Sequence, residues 1–216
     1  MRPVQKSTFT TNKTSYNPYG DAKPDLIAAL GAFCSYCERI SYASALDVEH
    51  VKDKSTHPSL KFNWDNFLLA CKNCNSIKGT QEVDTEVDLF PHLKNTFHPL
   101  NYGESGFISI NPSLPETEKL KAQKLIDLVG LDRTPDHSKY STKDDRWEYR
   151  KEAWELATKY KISFKNGKIS VETIIDLAKS NGFWSIWLSV FQEFPSVKSA
   201  LLELTHFKGT NTTFFI

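Results

Sequence analysis

Cys34-Ser35-Tyr36-Cys37 and Cys71-Lys72-Asn73-Cys74 decide how this chain is read. All four cysteines of the protein sit in these two turns. A CxxC turn aims two sulfurs at one point, and two such turns complete a tetrahedral S4 set suited to a structural Zn²⁺. Two disulfides would meet the same spacing, but nothing in the sequence suggests secretion. The 33 residues between the turns exceed the loop of the smallest zinc ribbons. A second, different site therefore fits inside the loop that the metal closes.

Within that loop the chemistry comes in a fixed order: Glu49-His50, then Trp64-Asp65-Asn66, then Asn75. Residues 44–51 alternate as a strand, with Leu46, Val48 and His50 on one side and Asp47, Glu49 and Val51 on the other. Neighbouring strand residues face opposite ways, so Glu49 and His50 share one metal only where the strand twists or ends. A polar loop at 52–63 leads to a second strand at 67–70. A short helix at 73–78, stopped by Gly79, completes the unit. This order resembles the HNH nuclease family, whose ββα-metal motif reads Asp/His-His, then Asn, then His. Framing by CxxC pairs is shared with many zinc-stapled members. The third position, more often His, is Asn75 here. With "VEH", "WDNFLLACKNCNSIKG" and a helical tail carrying "RWEYR", the chain resembles more narrowly the PtuB-type nucleases of Septu and retron anti-phage systems.

The resemblance implies an α+β protein: a zinc-stapled ββα-metal core with a mainly helical C-terminal region. It implies structural Zn²⁺ on Cys34, Cys37, Cys71 and Cys74. It makes His50 the general base, Glu49 and Asn75 ligands of a catalytic metal, and Asn66 the residue that orients the catalytic loop. Oxygen ligands favour Mg²⁺ or Mn²⁺ at that second site. A neutral imidazole suits the removal of a proton from water near pH 7. The implied substrate is nucleic acid, DNA ahead of RNA, and the implied partner is an ABC-like ATPase of the PtuA type. Duller readings stand beside these. His50 also fits a core histidine, Asn66 an Asx turn before the second strand, and Asn75 a helix-start residue. An RNA (tRNA) nuclease with the same site, and a catalytically silent zinc-ribbon interaction module, are the alternative functions.

Composition bounds the rest. The chain has 216 residues, 39% hydrophobic and 25% charged, with a net charge of +1. No run of 18 apolar residues marks a membrane span, and the start, 1–19, is polar rather than a signal sequence. A cytoplasmic protein is expected. Residues 34–80 hold six Lys/Arg against five Asp/Glu, a weak electrostatic footprint for a nucleic-acid binder. Substrate affinity is therefore expected to be weak alone or to come from a partner.

The expected organisation is an extended arm at 1–24, a nuclease domain at 25–100 and a helical accessory domain at 101–216. A short helix at 25–30 leads into the first CxxC turn, and Glu82, Asp84, Glu86 and Asp88 read as a solvated loop. A short strand is expected at 107–110. Helices are expected at 116–129, with Leu120, Leu125 and Leu128 on the apolar face, and at 144–160, 171–179, 183–194 and 196–204. Arg146 and Arg150, at i,i+4, either grip phosphate or pair with acidic neighbours. Lys78 reads as solvated, with a phosphate contact as the other reading. His57, His92 and His98 read as loop histidines, the reserve candidates for the metal shell. Phe183, Trp184, Trp187, Phe191 and Phe194 form a stripe that reads as core before stacking platform. The aromatic load, ending in Phe214-Phe215-Ile216, suits either a dock for another protein or a larger fused core.

Overall fold

The computed structural model describes residues 1–7, 9 and 11–215. Helix α1 (Lys23–Leu30) has Pro24 in its first turn, where a missing N–H costs nothing, and stops at Gly31. It buries Leu26, Ala29 and Leu30. The first CxxC turn follows, then strand β1 (Leu46–His50), strand β2 (Phe67–Cys71) and helix α2 (Lys72–Lys78). β1 and β2 are antiparallel, with Leu46 opposite Cys71 and His50 opposite Phe67. All five β2 residues are buried, because one face meets α1 and the other lies under α2. The second CxxC turn is thus the junction of β2 and α2.

A smaller antiparallel pair, β3 (Leu100–Tyr102) and β4 (Ile108–Ile110), leads to α3 (Glu116–Val129). Then come α4 (Arg146–Lys165), α5 (Val171–Asn181), α6 (Trp184–Val190) and α7 (Pro195–Leu202). This is the expected α+β class, with helices concentrated in the C-terminal part. No helix among the described residues is long and apolar enough to cross a membrane.

Two apolar clusters make the interior. One runs from Met1 to Leu131 and includes the cysteines, the hairpin, α1 and α3. The other runs from Ala153 to Phe207. They part between Leu131 and Ala153; β4 and α3 pack with the hairpin region, while Tyr102 of β3 touches both clusters. The arm expected at 1–24 as extended ends in a 3-10 turn at Tyr19–Ala22 and the start of α1, and it is built in: Val4 bridges to Thr210, Ser15 bridges to Asn63, and Val4 and Tyr16 are buried.

Glu38, just past the first CxxC turn, ties the two clusters together. Its Oε2 accepts from the Ser185 backbone N–H at the start of α6 (2.7 Å), and its Oε1 accepts from the Arg2 N–H and the Tyr102 hydroxyl. α4 makes the second tie. It presses so closely on Gly106 (φ +72°) that a Cβ there would lie 2.5 Å from the Lys151 nitrogen. Only glycine fits.

Several expectations change. Leu120 is 66% exposed, and α3 instead buries Ala122, Leu125, Ile126, Leu128 and Val129. The face turns because the hairpin region meets α3 along its C-terminal half. Of the acidic run, Glu82, Asp84 and Glu86 are exposed, while Asp88 is buried and paired with Lys124 (2.7 Å). The aromatic stripe is core: Phe183, Trp184, Trp187 and Phe191 are buried, and Phe194 packs against them. Phe215 joins through Phe97 and Trp184, whereas Ile216 lies outside the described residues.

Candidate functional site

The four cysteines converge. All are free and buried, and their sulfurs lie within 4.8 Å of one another. No disulfide joins them, and a buried set of four sulfurs at this spacing fits Zn²⁺. The back of the centre is closed by α4. Arg146 Nη1 donates to Cys74 Sγ (3.1 Å) and to the Val129 carbonyl, and Nη2 donates to the Gly130 carbonyl. Its pair with Asp144 (2.6 Å) and the field of the Cys74 and Cys37 sulfurs outweigh burial and raise its pKa. Asn73, from the second knuckle, in turn donates to Asp144 (3.0 Å).

On the other side of the hairpin a cleft of about 500 Å³ is lined by Asp47, Glu49, His50 and Asn75, together with Tyr19, Lys23 and Asp53. The strand end and the helix thus bring Glu49, His50 and Asn75 to one opening. Asn66 is not part of its lining. It lies buried behind, where Oδ1 accepts from the Lys52 N–H (2.8 Å) and Nδ2 donates to the Lys52 carbonyl (2.9 Å) and the Leu60 carbonyl (3.3 Å). One amide therefore clamps both ends of the loop that follows His50, using donor and acceptor together. The Asx turn sits at Asn63 instead, whose side chain accepts from the Asp65 N–H.

The His50 ring is held edge-on between Tyr19 and Phe67, with centroids at 4.7 and 5.1 Å. Nε2 lies 2.9 Å from the Lys61 carbonyl. A carbonyl only accepts, so Nε2 carries the proton and Nδ1 keeps the lone pair. Burial lowers the His50 pKa below the ordinary imidazole value, which keeps the ring neutral at pH 7.

Asn75 is the fourth residue of α2 rather than its start. Its Nδ2 donates to Asp47 Oδ2 (2.9 Å), leaving the amide oxygen available. Burial works to raise the Asp47 pKa, but its bonds with Lys72 and Asn75 outweigh this and lower it. Glu49 is different. Only 1% exposed, it pairs through Oε1 with Lys78 Nζ (2.6 Å) and accepts through Oε2 from the Tyr36 hydroxyl (2.8 Å). Burial raises its pKa, against the pull of Lys78.

Lys78 is thus neither solvated nor open to phosphate. At 1% exposure it is the counter-ion of Glu49, and its ammonium also donates to the His50 carbonyl (2.7 Å). Arg146 and Arg150 likewise do not reach solvent. Arg150 donates to the Gly106 and Leu131 carbonyls and supports the packing of α4. His57, His92 and His98 do not line the cleft. The sequence reading passed over Tyr36 and gave Asp47 only a strand face. Asp47 was discoverable as the same-face neighbour of Glu49, two residues back. Tyr36 carried no signal beyond its place inside a knuckle.

Comparison with known proteins finds similar sequences for the stretch that holds this geometry. Residues 34–81 match the HNH endonuclease family. Over 105 residues the chain is 43% identical to the Septu protein PtuB of Bacillus thuringiensis, covering 46% of this chain and 37% of that protein. Over 109 residues it is 28% identical to the HNH protein of retron Vc95 from Vibrio cholerae serotype O1 biovar El Tor, covering 48% and 53%. The matched stretches span about half or less of these relatives' own length.

Proposed function

We propose that this HNH domain is a metal-dependent endonuclease site, and that the chain acts as the nuclease of an anti-phage defence system, with DNA as substrate. The observation that carries the reading is the single cleft in which Glu49, His50 and Asn75 meet, with Asn66 clamping the loop behind them. Cleavage of a phosphodiester needs a deprotonated water, relief of charge at phosphorus and help for the departing oxygen. His50 Nδ1 takes the proton as the water oxygen attacks phosphorus and the bond to the leaving oxygen breaks. The Lys61 carbonyl holds the ring in the tautomer this requires. Asn75 and the β1 carboxylates that flank it, Asp47 and Glu49, would hold Mg²⁺ or Mn²⁺, Glu49 through the lone pairs that Tyr36 and Lys78 leave free. When bound, such an ion acts as a Lewis acid on the phosphate oxygens.

The resemblance to PtuB-type nucleases also implies control by an ABC-like ATPase of the PtuA type. The near-neutral charge of the chain supports a division of labour in which the partner supplies part of the grip on nucleic acid.

The test is incubation of the zinc-loaded chain, alone and with its ATPase partner, with Mg²⁺ or Mn²⁺ and plasmid DNA or total RNA. His50→Ala should lower cleavage by about 10²–10⁴-fold while leaving zinc content and melting temperature unchanged. Equal cutting by that variant removes the assignment. Cutting confined to RNA replaces DNA as the substrate, and no cutting under any condition leaves a zinc-ribbon interaction module.

A further inference from the structure

Tyr36 lies between two of the clustered cysteines and is fully buried, yet its hydroxyl bonds a residue of the cleft, Glu49, rather than a sulfur. It donates to Glu49 Oε2 at 2.8 Å. Glu49 Oε1 meets Lys78 Nζ at 2.6 Å, and the same ammonium donates to the His50 carbonyl at 2.7 Å. The chain of contacts runs without interruption from the zinc knuckle to the backbone of the residue that faces the cleft. We propose that Tyr36 and Lys78 are positioning residues, which through Glu49 form a relay by which the zinc knuckle fixes where His50 stands.

The energetics favour placement over stability as the reason for this arrangement. Burying a carboxylate and an ammonium together costs desolvation that their attraction roughly repays, and apolar residues of the same volume would hold the fold as well. What apolar residues lack is direction. Each Glu49 oxygen has its own donor, and the Lys78 ammonium has one bond for the carboxylate and one for the His50 carbonyl. His50 is the last residue of β1, and only one further backbone bond, from the Val51 N–H to the Asn66 carbonyl (2.9 Å), follows it across the hairpin. Lys78 holds it from the α2 side, Asn66 holds the next turn through Lys52, and the Lys61 carbonyl holds the ring. Remove the Tyr36 bond, and Glu49 is free to swing on its one remaining partner. Lys78 and the His50 backbone then shift with it.

This inference rests on the reading of His50 as the base, but its test does not depend on cleavage. Tyr36→Phe keeps the ring and removes only the hydroxyl. In the full-length, zinc-loaded chain labelled with ¹⁵N-histidine, His50 is assigned by the signal that disappears in His50→Ala. Tyr36→Phe should retain one zinc per chain and move the His50 ring resonances, while those of the other five histidines stay in place. Mn²⁺ binding, followed by electron paramagnetic resonance, should weaken about tenfold, the size of effect typical of groups that orient metal ligands. In cleavage the loss should fall on kcat rather than KM. Should Tyr36→Phe fail to hold zinc, Lys78→Gln reads the relay from its other end and should move the same His50 signals. Unmoved His50 resonances with unchanged Mn²⁺ affinity, in a zinc-loaded variant, overturn the relay. A wild-type chain that cuts nothing, but whose His50 signals move in Tyr36→Phe, removes the nuclease reading and supports the relay.

Discussion

The region of the knuckles and hairpin, 34–81, and the helical region, 146–202, both bury charge, but to opposite ends. In the first, Glu49 lines an opening with His50 and Asn75 and is paired from behind by the buried Lys78. In the second, Arg146 and Arg150 are 1% exposed and end on backbone carbonyls, a cysteine sulfur and Asp144. Buried charge on its own is therefore no sign of a site. A polar residue is placed for chemistry when it lines an opening, and acts as a staple when its donors end on groups of the interior.

The largest expected effect tests whether the two regions are one folding unit. Chelating the zinc leaves four buried thiols with no ion to gather them. Structural zinc in small domains contributes on the order of 10 kcal/mol to folding, enough to unfold 34–81 outright. Because Arg146 bonds Cys74 Sγ and Glu38 anchors α6, the loss should spread into the helices. Circular dichroism at 222 nm and tryptophan fluorescence should fall together with released zinc. If fluorescence from Trp184 and Trp187 holds while zinc leaves, the helical region stands alone and the ties are weak.

Next comes Arg146→Ala, which breaks the staple from the helical side. Removing one member of a buried charged network costs about 3–5 kcal/mol, because Asp144 and the sulfurs lose their counter-charge. Thermal unfolding should show that loss, and zinc should leave faster to a chromogenic chelator. Arg146→Ala as stable as wild type would return this arginine to solvent and to a possible phosphate contact.

How much of this was legible follows from the range of the interactions. The CxxC turns, the two strands, α2 and the order Glu49-His50, Asn66, Asn75 depend on residues close in sequence, so spacing reveals them. Lys78 departs from the solvated lysine that its sequence suggests because only the folding of α2 over β1 puts it against Glu49. Helical spacing allows Arg146 its acidic neighbour Asp144, but not the Val129, Gly130 and Leu131 carbonyls that Arg146 and Arg150 reach a loop away. Leu120 fell on a plausible stripe that the hairpin region does not reach. Tyr36 is the extreme case. Its role depends on where its hydroxyl points, and no periodicity carries that.

A smaller effect is the acid limb of cleavage. Burial lowers the His50 pKa, so the neutral base persists to a lower pH than an ordinary imidazole allows. Cleavage should stay level from neutral pH down past 6.5, then fall about tenfold per pH unit once the ring protonates. The same depression means that His50 favours the fold above its unfolded pKa, and that this contribution fades as pH drops through the folded value. An acid limb centred above 6.5 would show that the ring is more hydrated, or more strongly paired with acid, than its place between Tyr19 and Phe67 allows.

The smallest effect sharpens the comparison within β1 itself. Asp47 and Glu49 share one face of the strand, and each pairs with a lysine of α2. Lys72 is 69% exposed, whereas Lys78 is 1% exposed. Water screens the outer pair, and holding a long exposed side chain in one place costs entropy, so such pairs contribute at most about 1 kcal/mol. Lys72→Ala should therefore shift stability by less than about 0.5 kcal/mol at ordinary ionic strength, with the residual dependent on salt. Asp47 would keep its Asn75 partner and its place in the cleft. Paired urea titrations of Lys72→Ala at low and high salt decide the matter. A loss comparable to that of Lys78→Gln would mean that the open rim of the cleft is as dry as its floor, and the distinction between site and staple drawn from exposure would fail at the residue where it is easiest to test.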